Sequence, residues 1–546
     1  MKAFYKKIVE ANELRIPYVM ANICYDKSDP FYGGYKDGNG LMEQYATISQ
    51  TMHFTAAYFC EDSKYYKDKK VFKSINLFIQ FHFNMIRPDG TGDCLISDFY
   101  TPSSFDAINV TRTYRIFEKY AKTKEENETM KKIYKMLDLM GNGFINSGHR
   151  TPNHRWMIAA ASSMVYNITG RKELKELALK YLDEGIDIDE YGEFTERSPG
   201  MYNEVNDNAL FIIARELNLP YLHDYLRANM DLLFKYIEPD GTIFTQNSAR
   251  KDKGENEPSM GFYPTRYFYI YLQGAYILKE PKYGAFAYKI MDETLRYQRA
   301  IPDVLWLYMI NEELKHFEPE SVKLESNYEM YNPISSIYRK VESDFSVSVI
   351  GNNANFLFVQ KGDLKVYMRL CASFFMKAQF KPEKVEKNNN TLTLKFSVND
   401  MYWKPFEEKQ ETSVWSEMDH SKRKTCNKRY LNFLVNIDII DKRVNIGIKV
   451  DGTDRVPFKA EFIVTAGSLI ENEAFTIKAK AGEGIILHKD YVNVKYKKDI
   501  MKIGPGFKKH VYTTNMRGSV AQSSKGYTIY FTEFTELNKN ISIICE

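Results

Sequence analysis

The chain has 546 residues, enough for two or more domains that each bury a full core. Its 75 Lys and Arg against 71 Asp and Glu leave a net charge of +4, too weak a bias for a nucleic-acid partner. A hydrophobic share of 44% and a charged share of 27% are those of an ordinary globular protein, and no apolar run reaches membrane-spanning length, so no membrane partner is expected.

The first ten residues, Met1 to Glu10, carry charges where a signal peptide needs an apolar core, so a cytoplasmic location is expected. From there to about residue 315 the apolar spacing is helical almost throughout. It predicts helices near 2–15, 42–60, 68–86, 104–121, 124–146, 153–168, 171–185, 200–216, 219–236, 264–278, 282–298 and 302–315. Short turns join them, as in stacked helical hairpins closed into a ring. Two of the helices end in the same way, at Ile86-Arg87-Pro88-Asp89-Gly90-Thr91 and Ile237-Glu238-Pro239-Asp240-Gly241-Thr242, with a looser copy at Ile188 to Thr195. A polar stretch follows each: Asp93, Asp98 and Tyr100; Glu193, Glu196 and Arg197; Thr245 to Ser248 and Arg250. Repeated hairpins put equivalent turns on one rim, so these stretches are expected at a common mouth.

Beyond Pro333 the pattern changes to short β-branched and aromatic blocks, such as Phe345 to Ile350, Leu431 to Ile439 and Tyr527 to Phe531, separated by Gly- and Asn-rich turns. The fold class read from this order is an N-terminal (α/α) toroid over 1–320 followed by a C-terminal antiparallel β-sandwich over 333–546. Six scattered cysteines without a C-x-x-C pair read as reduced and structural.

The candidate site lies between Asn146 and Asn208. Two helical patterns start there, one at Thr151-Pro152-Asn153-His154-Arg155-Trp156 and one at Pro199-Gly200-Met201-Tyr202-Asn203. Helix N-termini attract anions, and both starts are crowded with amide and charged side chains. This pairing resembles the heparinase II/III-like polysaccharide lyases and the related toroidal alginate lyases. That resemblance implies a helical toroid plus an antiparallel β-sheet domain. It also implies β-elimination beside a uronic acid, with an Asn or His early on one inner helix and a Tyr on a later one.

Such a reaction needs donors that neutralise the sugar carboxylate, a base at the acidic proton and an acid at the leaving oxygen. Carried over residue by residue, the resemblance puts Asn153 and His154 at the carboxylate and Tyr202 in the base and acid role; Arg150, just upstream, is expected to assist at the carboxylate. An N-cap role for Asn153 with a packed His154 is the structural alternative. Substrate contacts are expected from Asp98, Tyr100, Trp156, Glu196, Arg197, Asn206, Asn247 and Arg250. The 40 Tyr and 35 Phe serve either as core or as platforms for sugar faces.

The family's usual His in a Gly- and His-rich strand motif is missing from Val349 to Phe356, which leaves His420 in its polar loop as the β-domain candidate. His149 and His154 are five apart, a poor helical metal pair, and neither metal nor cofactor is expected. The expected partner is a uronate-containing oligosaccharide or polysaccharide. Alternatives are a toroidal glycoside hydrolase using Asp98 with Glu196 or Asp207, and a non-catalytic glycan-binding protein.

Overall fold

The structure, a computed structural model, describes residues 2–94, 99–101, 104–254, 257–258 and 261–546, with only the backbone of 93–94 and 99–101. Two compact units divide it: Met1–Phe234 with Tyr263–Leu324, and Lys235–Phe262 with Glu325–Glu546. In the sequence reading, the change from helices to strands runs from about 320 to 333. The excursion of 235–262 into the second unit has no counterpart in that reading, because its Pro-Asp-Gly turn copies the one at residue 88.

The first unit is built from twelve α-helices among the described residues: α1 (Lys2–Ala21), α2 (Gln44–Phe59), α3 (Lys69–Met85), α4 (Ser104–Tyr120), α5 (Lys124–Asn146), α6 (Pro152–Thr169), α7 (Lys172–Asp183), α8 (Asn203–Leu217), α9 (Leu222–Tyr236), α10 (Phe268–Leu278), α11 (Pro281–Arg296) and α12 (Leu305–Ile310). Their starts and stops follow local chemistry. Asp68 caps α3 by accepting from the N–H groups of Lys70 and Val71, and Thr123 with Glu126 closes a capping box on α5. Gly170 ends α6 in the left-handed conformation.

The even-numbered helices pack on one another in succession from α2 to α10, and α12 packs on α2 and α4. Odd-numbered α3, α5, α7 and α11 each lie against an even neighbour. The even helices are therefore the inner ring, as their burial agrees: α2 buries nearly every residue, and α6 buries everything from Trp156 to Val165. This is the (α/α) toroid.

The repeated turns share one hydrogen-bond pattern. Arg87 N–H donates to Thr91 O at 2.8 Å, Asp189 N–H to Glu193 O at 3.0 Å and Glu238 N–H to Thr242 O at 2.7 Å. In each, the Asp carboxylate accepts from backbone N–H groups further along the turn, and a glycine supplies the positive φ. Gly90 and Gly192 are also forced by space: a Cβ would lie 2.1 Å from Leu139 O and 2.4 Å from Ala228 O. A fourth copy, Asp37 to Leu41, closes the same way at 2.8 Å and precedes α2. It was not legible as a repeat because its sequence is Asp-Gly-Asn-Gly-Leu, without the proline.

The second unit is a sandwich of an eight-stranded and a nine-stranded sheet, antiparallel except where Gly484–Ile486 joins Tyr527–Phe534. Alternate residues of facing strands fill the space between them, among them Val347, Val359 and Met368 against Phe433, Ile446 and Ile543. The segment 235–262 is pinned within this unit by Arg339, which donates to Lys235 O at 3.0 Å and to Glu238 Oε1 at 3.1 Å.

Candidate functional site

Five inner helices begin at linked positions. Tyr45, Phe105, Asn153, Glu204 and Tyr269 are each the second residue of α2, α4, α6, α8 and α10. The Tyr45 and Phe105 rings stand perpendicular at 6.2 Å, and Phe105 meets the His154 ring at 5.5 Å. The Asn153 amide reaches Glu196 on the loop before α8, and the Tyr269 hydroxyl donates to Glu204. All of these side chains belong to the first unit. One end of the inner ring is thus lined by the first turns of its helices.

Asn153 is fully buried and is not the cap of α6, since Thr151 holds that position. Its Nδ2 donates to Glu196 Oε1 at 2.7 Å and Oε2 at 3.0 Å, and more weakly to Thr151 Oγ1 at 3.2 Å. Glu196 is only 3% exposed, so it acts as a brace for Asn153 rather than as the substrate contact expected from sequence. A carboxylate accepts only, which fixes the amide with its N–H edge toward Glu196.

Tyr202 is partly exposed at the N-cap of α8. Its backbone N–H donates to Ser198 O at 3.0 Å, and Asn203 Oδ1 accepts from Ser198 N–H at 3.0 Å, so the loop is tied to the helix it starts. The short helix Pro264–Tyr267 holds this loop from another side. The Tyr267 hydroxyl donates to Pro199 O at 2.7 Å, and Arg266 donates to Met201 O at 3.2 Å and lies 3.7 Å from Glu204. Arg266 is thus a cation held against the Tyr202 loop.

Arg197 closes a turn, its N–H donating to Phe194 O at 2.8 Å, with φ 44°, a strained left-handed position for a non-glycine residue. Neither it nor the exposed Arg150 forms an ion pair among the described residues. Arg155, by contrast, is spent on Asp187 at 3.1 Å and Glu184 at 3.2 Å.

Deeper in the ring, Arg112 donates to Asn208 Oδ1 at 3.0 Å and lies 3.7 Å over the Trp306 ring. Burial brings its pKa down to about 10 despite the attraction of Tyr269 and Glu204. Burial also raises the Glu204 carboxyl, against the pull of Arg266, the Tyr269 hydrogen bond and Arg112. Asp207 is fully buried with neither oxygen hydrogen-bonded among the described residues, and burial and then Glu204 raise it well above the carboxylate range.

Several expected contacts are displaced by packing. Trp156 is wholly buried and donates from Nε1 to Asp187 Oδ1 at 2.6 Å, so it is a core residue and not a sugar platform. Asn206 is also wholly buried, one turn inside α8. Asn247 and Arg250 belong to the second unit, where Asn247 donates to the Tyr236 hydroxyl at 2.7 Å. His420 is in that unit too. Its Nδ1 accepts from Arg423 at 3.1 Å, so Nε2–H donates to Trp415 O at 2.8 Å, and its ring stacks on Trp403 at 5.0 Å. It clamps its own loop. Asp98 and the side chain of Tyr100 lie outside the described residues.

Sequence reasoning missed Tyr45, Phe105, Arg266 and Tyr269. The signal was available: each opens an inner helix or its leading turn, as Asn153 and Tyr202 do.

Three solved structures of low identity share this architecture. The xanthan lyase of Paenibacillus aligns over 99% of this chain with a TM-score of 0.59 at 8% identity. Heparinase III aligns over 98% with 0.56 at 10%, and the chondroitin AC lyase of Streptomyces coelicolor A3 over 100% with 0.57 at 8%. The fold is that of the heparinase-like polysaccharide lyases. The chain spans 57% of the xanthan lyase, 84% of heparinase III and 79% of the chondroitin AC lyase. No family model matches the lyase-fold chain, and no curated protein does so either.

Proposed function

We propose that the protein is a polysaccharide lyase that cleaves a glycosidic bond beside a uronic acid by β-elimination. The observation that carries this reading is the buried Asn153–Glu196 pair next to the loop that presents Tyr202. Glu196 orients the amide, and the long bond from Asn153 to Thr151 Oγ1, 3.2 Å, is the one a substrate carboxylate displaces. Arg150 and Arg197, without an ion pair among the described residues, supply positive charge, and His154 supplies a further donor at the mouth. Together they neutralise the carboxylate so that the carbon beside it can release its proton.

Tyr202 takes that proton. The electron pair forms the new carbon–carbon double bond, the adjacent C–O bond breaks, and Tyr202 returns the proton to the leaving oxygen. Of the carboxylates that a hydrolase would need, Glu196 is committed to Asn153. The substrate class is a uronate-containing oligosaccharide or polysaccharide.

The test is ultraviolet absorbance during incubation with a panel of uronate-containing glycans, for wild type and Tyr202→Phe. Elimination gives a conjugated unsaturated uronate, and the mutant is expected to lose the rise by at least about a hundredfold. New reducing ends without absorbance would replace this reading with hydrolysis.

A further inference from the structure

The second unit holds a cavity that no part of the proposed reaction uses. Strands Thr391–Trp403 and Thr425–Ile440 pair with Tyr402 opposite Cys426, and a bulge interrupts the register between Cys426 and Arg429. Asn427, inside the bulge, has φ 50°. Bulges re-aim side chains and recur beside binding sites. Here the bulge borders a cavity of about 480 Å³, within the usual range for small-ligand sites.

One wall of the cavity is aromatic. The Phe375 and Tyr402 rings lie 5.2 Å apart at 56°, and Tyr402 is 57% exposed. Phe375 and Met376 are consecutive non-glycine residues with φ 47° and 61°, a turn held under strain at the rim. The remaining lining includes Ser373, Asn427 and Arg429, whose side chains make no hydrogen bond or ion pair among the described residues. Arg429 is opposite Asp400 in the strand register, yet Asp400 is engaged by Lys377 at 2.6 Å. Arg429 therefore lines the cavity without an ion-pair partner among the described residues. The exposed Tyr402 ring, tilted against half-buried Phe375, suits the apolar face of a pyranose, the hydroxyl and amide suit its hydroxyls, and the Arg429 cation suits an acidic substituent.

We propose that this cavity is a second glycan-binding subsite, specific for a sugar unit that carries a carboxylate or sulfate. It shares the ligand class of the proposed function but none of its residues.

The test is affinity electrophoresis of the full chain through gels containing polygalacturonate, alginate or heparan sulfate, with neutral dextran as control. A Tyr202→Phe background keeps the polymer intact during the run. Retardation is expected with at least one acidic polymer and not with dextran. Tyr402→Ala and Arg429→Gln are each expected to reduce it at least threefold, and the effect of Arg429→Gln should fade as salt rises. Both side chains are exposed, and Arg429→Gln keeps the strand and the aromatic wall intact, so loss in that variant alone already supports the subsite. A carboxylate is the recognised group if alginate or polygalacturonate suffices, and a sulfate if only heparan sulfate does. Equal retardation of both variants and their parent, retardation by dextran as strong as by the acidic polymers, or none at all would overturn the proposal. These readings do not depend on the absorbance assay, so the subsite and the lyase reading fail separately.

Discussion

Glu196→Ala tests the bracing of Asn153 most directly. The amide is fully buried and donates to the two Glu196 oxygens at 2.7 and 3.0 Å. A hydrogen bond to a charged acceptor contributes about 1.5–3 kcal/mol, and a buried donor left with a weak partner forfeits most of that. The only other described acceptor is Thr151 Oγ1 at 3.2 Å. The expected loss of stability is therefore about 2 kcal/mol, or a fall in Tm of roughly 3 °C for a unit of this size.

The same loss of orientation should reach catalysis. If the amide acts on the substrate only when braced, kcat/KM falls by about tenfold to a hundredfold, the equivalent of about 1.4–2.7 kcal/mol. A double-mutant cycle with Asn153→Ala separates this from general destabilisation. Coupling of at least about 1.5 kcal/mol is expected by chemical denaturation and again in kcat/KM, the latter measured by absorbance well below Tm. Effects of the two substitutions that add to within about 0.5 kcal/mol would refute the bracing argument.

Arg266→Gln removes the donor to Met201 O and should lower kcat about tenfold by loosening the Tyr202 loop, read in the same absorbance assay. Trp156→Phe deletes the bond to Asp187 in the core; it should cost about 1–2 kcal/mol by denaturation and leave KM unchanged. Glu126 gives a pH signature. Burial opposes its ionisation, but Lys67 and the N–H groups of Thr123 and Lys122 bring its carboxyl down to about 2 from an ordinary 4.5. Its stabilisation, about 3 kcal/mol, is thus fully present above about pH 4.5 and lost as pH falls toward 2. Glu126→Gln should be less stable than wild type at neutral pH and converge with it near pH 2 in denaturant titrations.

The helical half was legible because its signals are local. Apolar spacing places α2 to α7 within two or three residues of their observed ends, since capping residues such as Asp68 and Thr123 and the left-handed Gly170 act within one turn. The change to strands near residue 330 was legible for the same reason. What sequence periodicity does not carry is the partner across the ring. Nothing local distinguishes Trp156, buried against Asp187, from an exposed sugar platform, and nothing local says that Glu196 turns inward to Asn153. Those contacts span 31 and 43 residues. His420 misled in the opposite sense, because a polar loop sequence conceals an aromatic clamp made by Trp403 and Trp415.

The position of the site follows from the ring itself. Inner helices of a toroid run in the same direction, so their N-termini gather at one end, and each brings unpaired N–H groups and the positive end of its dipole. An end built this way favours an anion before any side chain is chosen. The side chains then divide the work by burial. Asn153, deep and braced, can discriminate by geometry; Arg150, His154 and Tyr202 are nearer to water and can exchange protons or charge with a ligand. Buried Glu204, with its raised carboxyl between Tyr269 and Arg266, sets the boundary between these layers. On the proposed reading, a sugar carboxylate would meet donors first and a proton acceptor beside them, the order that elimination requires.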